Sequence, residues 1–367
     1  MPQHFPHDGD GLRAARRACR AWFGPADASL APLDASGFSG SWVFAARPEG
    51  GREQFVLKAF HVGTAAAHAA WVHRLMQHVR AAGVDETPEV LACRHGGTLA
   101  TDEDGRHWEL ARFVPGTATP EPTPRQTAAA VGTLARLHVA AAGLAETPPT
   151  TGPSPGMVRR VAQAQGMRDE PWEVRRELGR WTGRGAAPGL EDAILARLDQ
   201  AIAAFARGGR EAIGTIAALR PVDVTRQAVL RDVWADHVLF AADEPARVAG
   251  IIDWHAAGID TPATDLARLL GSWRSRPETA GRPFLERWPD ALAAYERIRP
   301  LADAERRLIP VLHATAVVFG LDHWFRWTLD EGRSFARPDR VLARLDRLLE
   351  DLPAALRELA DRTGLTG

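Results

Sequence analysis

The residues best suited to chemistry lie in one run, AVLRDVWADHVLFAADEPARVAGIIDW, residues 228–254. Asp232 sits in a polar-apolar loop, and Asp253 closes the apolar run RVAGIID. Between them HVLFAA and RVAGIID form a strand-turn-strand pattern across DEPA, so a hairpin can return the second carboxylate to the first. A carboxylate pair brought together in this way can hold Mg²⁺ and accept a proton from a nucleophile.

A third residue stands out by composition. Of the 45 basic side chains, 44 are Arg and one is Lys, Lys58 in FVLKAF (55–60). Asn is absent and Tyr occurs once, at Tyr295, as in chains shaped by a GC-rich genome. Under that bias a retained Lys marks a place where the broad Arg fork will not serve and a slim point charge will. In the strand EQFVLKAF, Phe55, Leu57 and Ala59 share one face, and Val56, Lys58 and Phe60 share the other. The lysine therefore stands between two apolar neighbours.

The elements that must position these groups follow from pattern. Residues 11–23 read as a short amphipathic helix. The small-residue loop ASGFSGS (35–41) leads to the strand WVFAAR, the turn PEGG and the lysine strand. Thr64 is placed to cap a helix running to Ala82. PEVLAC, TLATD and HWELARFV read as strands, the last two joined across EDGR, and Pro115-Gly116 ends the region. Beyond it helices dominate. Residues 124–142 set Val131, Leu134, Leu137 and His138 on one stripe, with His138 read as a packed core residue. ETPPTTGPSPG (146–156) reads as a connector, 157–220 and 264–367 as helical.

At 367 residues the chain exceeds what one core usually holds, which predicts two lobes, 1–116 and 117–367. A net charge of −1 gives no footprint for nucleic acid. The N-terminal MPQHFPHDGDGLRAARRACRAWFG has no apolar core of signal-peptide length. No window reaches the roughly 18 uninterrupted apolar residues of a membrane span. Cys19 and Cys93 form neither a disulfide framework nor a metal spacing. A bacterial cytoplasmic location without a membrane partner is the expectation, and the oligomeric state stays open.

The order of a small-residue loop, a strand Lys, a strand ending in Pro-Gly, a loop Asp and a strand-terminal Asp resembles the kinase-like fold. In detail the chain resembles the aminoglycoside phosphotransferase family, whose wider group includes choline, homoserine and fructosamine kinases. IIDWHAAGIDTPATDLARLL (251–270) is similar to its metal-binding strand and following helix, LRDVWADHVLF (230–240) to its catalytic loop, and FVLKAF to its lysine strand. The resemblance spans residues 28–272, and Asp253 follows Asp232 by 21 residues. It implies an α+β, two-lobed protein-kinase-like fold, with a small antiparallel-sheet N-terminal lobe and a larger, mostly helical C-terminal lobe. It implies ATP and Mg²⁺ as cofactors, and a small-molecule hydroxyl as acceptor, on an amino sugar or an amino alcohol.

The resemblance also assigns residues. Lys58 would hold the ATP phosphates, covered by backbone N–H groups around Gly37, Ser39, Gly40 and Ser41. Glu109, Leu110, Ala111, Arg112 and Phe113 would form the hinge over adenine. Asp232 would orient and deprotonate the hydroxyl, and Asp253 would ligate Mg²⁺. Arg231 and Asp265 would support the catalytic loop.

Three departures qualify this pattern. Leu230 stands where the family's loop usually has His, and Arg231-Asp232 instead resembles protein kinases. The second metal ligand, usually Asn, falls on His237, so either His237 or its hard-oxygen neighbour Asp236 would take that role. Residues 64–82 contain no Asp or Glu to pair with Lys58, which leaves His68, His73, Gln77, Asp253 or phosphate itself to hold it. The last two departures sustain a second reading, a nucleotide-binding pseudokinase or regulatory module. A protein kinase is disfavoured, since within about ten residues of Asp253 the chain enters a helix. GLDHWFRWTLDEG (320–332), with its aromatics and acids, reads as a core stripe with a solvated acidic end rather than a cation site.

Overall fold

The computed structural model describes residues 9–25, 28–33, 41–177, 190–219, 222–275, 277–279, 281–333, 335 and 337–360. Helix α1 (Gly9–Phe23) repeats small and apolar residues at helical spacing, and Ala14, Ala15, Ala18, Cys19 and Trp22 are buried. That stripe covers an antiparallel sheet built from β1 (Ala28–Pro32), β2 (Val43–Pro48), β3 (Phe55–Ala59), β4 (Ala100–Thr101) and β5 (His107–Arg112), in the order β1-β2-β3-β5-β4. Alternation decides which side chains enter this core. Phe55, Leu57 and Ala59 of β3 are buried with Phe44, Trp108 and Leu110, whereas Val56 and Lys58 point to the other face. Burying each large side chain contributes about 1.5–3 kcal/mol. The same desolvation pushes the Cys19 thiol up to about 12, so it is an inert core residue.

Helix α2 (Ala66–Ala81) follows β3. Its N-cap is Ala65, without a side-chain cap, so Thr64 does not fill the role expected of it. PEVLAC does not form a strand either; Val90 makes an isolated bridge to Ala111. Helix α3 (Pro124–Ala142) begins with a capping box in which Thr123 and Gln126 satisfy each other's backbone N–H. Its stripe Val131, Leu134, Leu137 and His138 is buried, joining α2 to the larger core.

The remainder is mostly helical, giving the α+β architecture. After α3 come β6 (Thr150–Pro153), α4 (Pro155–Asp169), α5 (Trp172–Glu177), α6 (Leu190–Phe205), α7 (Gly209–Ala218) and β7 (Asp223–Val229). Then come β8 (Val238–Phe240), β9 (Val248–Ile251), β10 (Gly258–Asp260), α8 (Pro262–Ser272), α9 (Pro289–Glu296), α10 (Asp303–Phe325) and α11 (Pro338–Ala360). β6 and β10 flank β7, and β8 pairs with β9 as the DEPA hairpin predicts. The segment containing α10, Asp303–Asp330, is long and apolar enough to cross a membrane, but its apolar window is 72% buried within the protein, as in a core helix.

The connection between the sheet and α3 packs closely on the β8–β9 hairpin. A Cβ at Gly116 would lie 2.9 Å from Phe240 O, and one at Gly250 would lie 2.7 Å from Val114 Cγ1. Gly116 lets backbone meet backbone, Gly250 makes room for the Val114 side chain, and Thr117 and Phe240 exchange hydrogen bonds of 3.0 and 2.9 Å.

Candidate active site

β3 carries Lys58 in register between Val43 of β2 and Glu109 of β5. Its ammonium donates to Asp253 Oδ1 at 2.5 Å and lies 2.9 Å from His255 Nδ1. His255 Nδ1 also meets Asp253 Oδ1. That nitrogen can accept from Lys58 when bare or donate to Asp253 when protonated, but not both at once. The acid missing from α2 is therefore replaced by Asp253 and His255. None of the three α2 candidates reaches the lysine. His68 Nε2 lies 3.1 Å from His255 O, His73 bridges Glu109 and Thr98 at 2.6 and 2.7 Å, and Gln77 is exposed.

The loop after β7 is held by one face of α8. Asp265, fully buried, accepts the N–H groups of Leu230 at 2.7 Å and Arg231 at 2.6 Å. One turn on, Arg268 donates Nη2 to Asp232 Oδ1 at 2.7 Å and Nε at 3.0 Å. A turn further, Ser272 Oγ accepts Ala235 N–H at 2.8 Å. Positions 265, 268 and 272 share a helix face by their spacing. Behind Asp265, His138 Nε2 lies 3.0 Å from its carboxylate, and His138 Nδ1 lies 2.7 Å from the Tyr295 hydroxyl. His138 is thus a core residue that also backs the loop.

Arg231 and Asp253 have φ of 63° and 65°, the two non-glycine residues in the left-handed region among the described residues. Such backbone costs energy and persists only where surroundings fix it. At Arg231 the fixing contacts are Asp265 on the N–H and the Ala256 carbonyl, which accepts Nε at 2.7 Å.

His237 joins the two aspartates. Its Nδ1 lies 2.9 Å from the Asp232 carbonyl, and its Nε2 lies 3.6 Å from Asp253 Oδ2. Asp236 is exposed and makes no hydrogen bond or ion pair with Asp253, Lys58 or the imidazoles. Desolvation works to raise both carboxyls. At Asp232 the charge and hydrogen bonds of Arg268, the Trp234 indole N–H and the charge of His237 outweigh it and hold the group below the usual carboxylate range. At Asp253, Lys58, His255 and His237 do so more strongly.

The carboxylate oxygens have distinct commitments. Asp232 Oδ1 takes Trp234 Nε1 at 2.7 Å as well as Arg268, leaving Oδ2 without a hydrogen bond among the described residues. Asp253 Oδ1 is occupied by Lys58 and His255, and Oδ2 is without a hydrogen bond among the described residues. Mg²⁺ keeps several waters and is typically bound through one or two carboxylates plus phosphate, so a single open carboxylate oxygen beside a lysine fits that ion. Among the described residues there is no cluster of three or more His, Cys, Asp or Glu able to form an all-protein cage.

The other sequence candidates fall as follows. Gly37, Ser39 and Gly40 lie outside the described residues, and Ser41 is half-buried just before β2. Glu109, Leu110, Ala111 and Arg112 are the closing residues of β5, each paired with β3. Leu110 is buried and Glu109 is bound to His73, so the connection between the two parts starts at Phe113. In 320–332 the acids are paired internally: Asp322 with Trp172 and Arg326, Asp330 with Arg175, Glu331 with Arg333. His255, Arg268 and Ser272 escaped sequence reading; the signal available was polar residues three and seven positions after Asp265 on an otherwise apolar helix.

Comparison with known proteins gives this geometry its context. The chain matches the phosphotransferase enzyme family over residues 31–301. It is 29% identical over 280 residues to a homoserine kinase of Xanthobacter autotrophicus, covering 75% of this chain and 74% of that one. It is 30% identical over 290 residues to a homoserine kinase of Gluconacetobacter diazotrophicus, covering 77% of each. Among solved structures, spectinomycin phosphotransferase in complex with ADP and spectinomycin superposes with a TM-score of 0.62 at 12% identity, covering 95% of this chain and 96% of that one. The microcompartment-associated aminopropanol kinase superposes at 0.58 with 16% identity, covering 95% and 98%. With its lysine strand and braced loop on a two-lobed, protein-kinase-like frame, the chain belongs to the phosphotransferase enzyme family.

Proposed function

We propose that this phosphotransferase, a kinase acting on hydroxyl groups, takes its phosphoryl group from ATP and delivers it to a small molecule: an amino sugar, an amino alcohol or the hydroxy-amino acid homoserine. The observation that carries the reading is the meeting of Lys58, Asp253, His237 and Asp232, from β3 and the 228–254 segment, at one place. Lys58 holds charge for the nucleotide phosphates. Asp253, with His237 beside it, would hold Mg²⁺, which neutralises phosphate charge when bound. Asp232 Oδ2 takes the acceptor O–H, while Oδ1 is fixed by Arg268 and Trp234.

A carboxylate held below its ordinary pKa is a weak base. Asp232 therefore contributes chiefly by aiming the hydroxyl, which suits a loose transition state in which positioning outweighs early proton removal. ADP release in the presence of ATP and Mg²⁺, screened over amino sugars, amino alcohols, nucleosides, sugars and homoserine, tests the reading with Asp232→Ala as the blank. Acceptor-dependent release that vanishes in the variant supports it. Nucleotide binding without transfer to any acceptor overturns it in favour of a binding module.

A further inference from the structure

Arg268 does not stand alone beside Asp232. Its guanidinium rests 3.7 Å from the Trp234 ring centroid, and that of Arg344, from α11, rests 4.2 Å from the same ring. On α4, Arg160 Nη1 packs over Gly156, 2.9 Å from where a Cβ would be. Several arginines in this part of the chain are matched with acids, Arg197 with Asp346 at 2.7 Å, Arg299 with Glu305 at 2.8 Å and Arg347 with Asp351 at 3.1 Å, while Arg231 and Arg287 donate to backbone carbonyls. Arg160 and Arg344 make no hydrogen bond or ion pair with any described residue.

Burial lowers Arg344 to about 9, with the charges of Arg268 and Arg347 adding to the effect and those of Asp351 and Asp232 opposing it. Burial lowers Arg160 to about 10, with Asp260 opposing and Arg268 and Arg159 adding. Asp260 is already committed to the Ser154 hydroxyl and the N–H groups of Gly156 and Thr261. Each is half-buried, and a guanidinium with no ion-pair partner among the described residues keeps its planar fork open to a carboxylate or phosphate.

We propose that the acceptor carries an oxyanion, a carboxylate or a phosphate, and that Arg344, which shares the Trp234 ring with the Asp232-bound Arg268, binds it together with Arg160, a proposal that rests on the reading of Asp232 as the residue facing the acceptor hydroxyl. An acceptor whose only charge is an ammonium meets the wrong sign here. The arginines set the substrate class, and the neutral Asp232–Arg268 pair sits where the hydroxyl is aimed.

The test uses the full chain with ATP and Mg²⁺ and four matched alcohols: homoserine, 4-hydroxybutyrate, 3-amino-1-propanol and 2-hydroxyethyl phosphate. Acceptor binding is measured separately by calorimetry in the presence of ADP. The expected result is binding and turnover of at least one anionic alcohol, about tenfold or more better than 3-amino-1-propanol. Arg344→Leu and Arg160→Gln should raise the acceptor KM by about tenfold or more while leaving the KM for ATP and the melting temperature near wild type. Preference for 4-hydroxybutyrate or homoserine identifies a carboxylate, and preference for 2-hydroxyethyl phosphate a phosphate.

Equal use of 3-amino-1-propanol, or an acceptor KM unmoved in both variants, overturns the anion proposal and leaves phosphoryl transfer standing. Anion binding that both variants abolish, without turnover of any alcohol, supports the anion site and sinks the transfer reading. Neither binding nor turnover of any anionic alcohol overturns the proposal.

Discussion

The Lys58 ammonium lies 2.5 Å from the Asp253 carboxylate, a contact between residues 195 positions apart in the chain. The pair closes the lysine strand onto the end of the β8–β9 hairpin, and His255 completes it from two residues further on. Replacing Lys58 by Met should lower kcat/KM for ATP by about 10²-fold or more, since a charge aimed at phosphate is lost. Lys58→Arg should recover little of it, because a broad fork must fit where a single nitrogen now meets both Asp253 and His255. Steady-state kinetics with varied ATP decide this; a Lys58→Arg enzyme with wild-type KM for ATP would contradict it.

Asp232→Asn should reduce kcat by about 10²–10⁴-fold while nucleotide affinity, read by calorimetry with ADP, stays within about threefold. The carboxyl is held below the ordinary value of about 3.9, so the acid limb of the wild-type kcat profile should not arise from Asp232 above that pH. Near-normal turnover in the Asn variant would remove Asp232 from the mechanism.

Asp265→Ala should act through the loop rather than through substrate. It strands the N–H groups of Leu230 and Arg231 and removes the partner of Nε2 of the buried His138. A cost of about 3 kcal/mol in urea unfolding is expected. Asp265→Asn should recover part of it, since one oxygen remains to accept. A variant as stable as wild type would show that the loop holds itself.

Much of this arrangement was legible beforehand. The alternation in β3, the extent of α3 and the DEPA hairpin follow from local pattern, and motif order singled out Lys58, Asp232 and Asp253. What escaped depends on distant partners. Thr150–Pro153 reads as a Pro-Gly connector, yet it becomes a strand because β7 supplies its pairing, with Pro153 at the strand end where a missing N–H costs least. Arg268 resembles any solvated helix arginine until α8 is set against the loop. Of the residues expected at the adenine hinge, Glu109 to Arg112 close β5, and Phe113 follows it.

His313 gives a prediction on acid stability. Its ring stacks on Phe284 at 4.1 Å, and burial, with Arg287, Arg347 and Arg344 nearby, lowers its pKa to about 3. The unfolded chain, with a His near 6.5, binds the proton first, so stability is full above about 6.5 and is lost as pH falls from there toward 3. The melting temperature should fall across that range, and His313→Gln should flatten the part of the slope due to this ring. An unchanged slope would mean that the ring accepts its proton in the folded state without cost.

The solitary lysine has a practical consequence as well. Lys58 is the one side-chain primary amine in 367 residues, with 13% of its side chain exposed and its nitrogen tied to Asp253. An amine-directed reagent, the α-amino group aside, can therefore mark a single position, and that position lies beside Asp253. Intact-mass measurement of its labelling rate would act as a built-in gauge of when the Lys58–Asp253 contact opens and of what shields it.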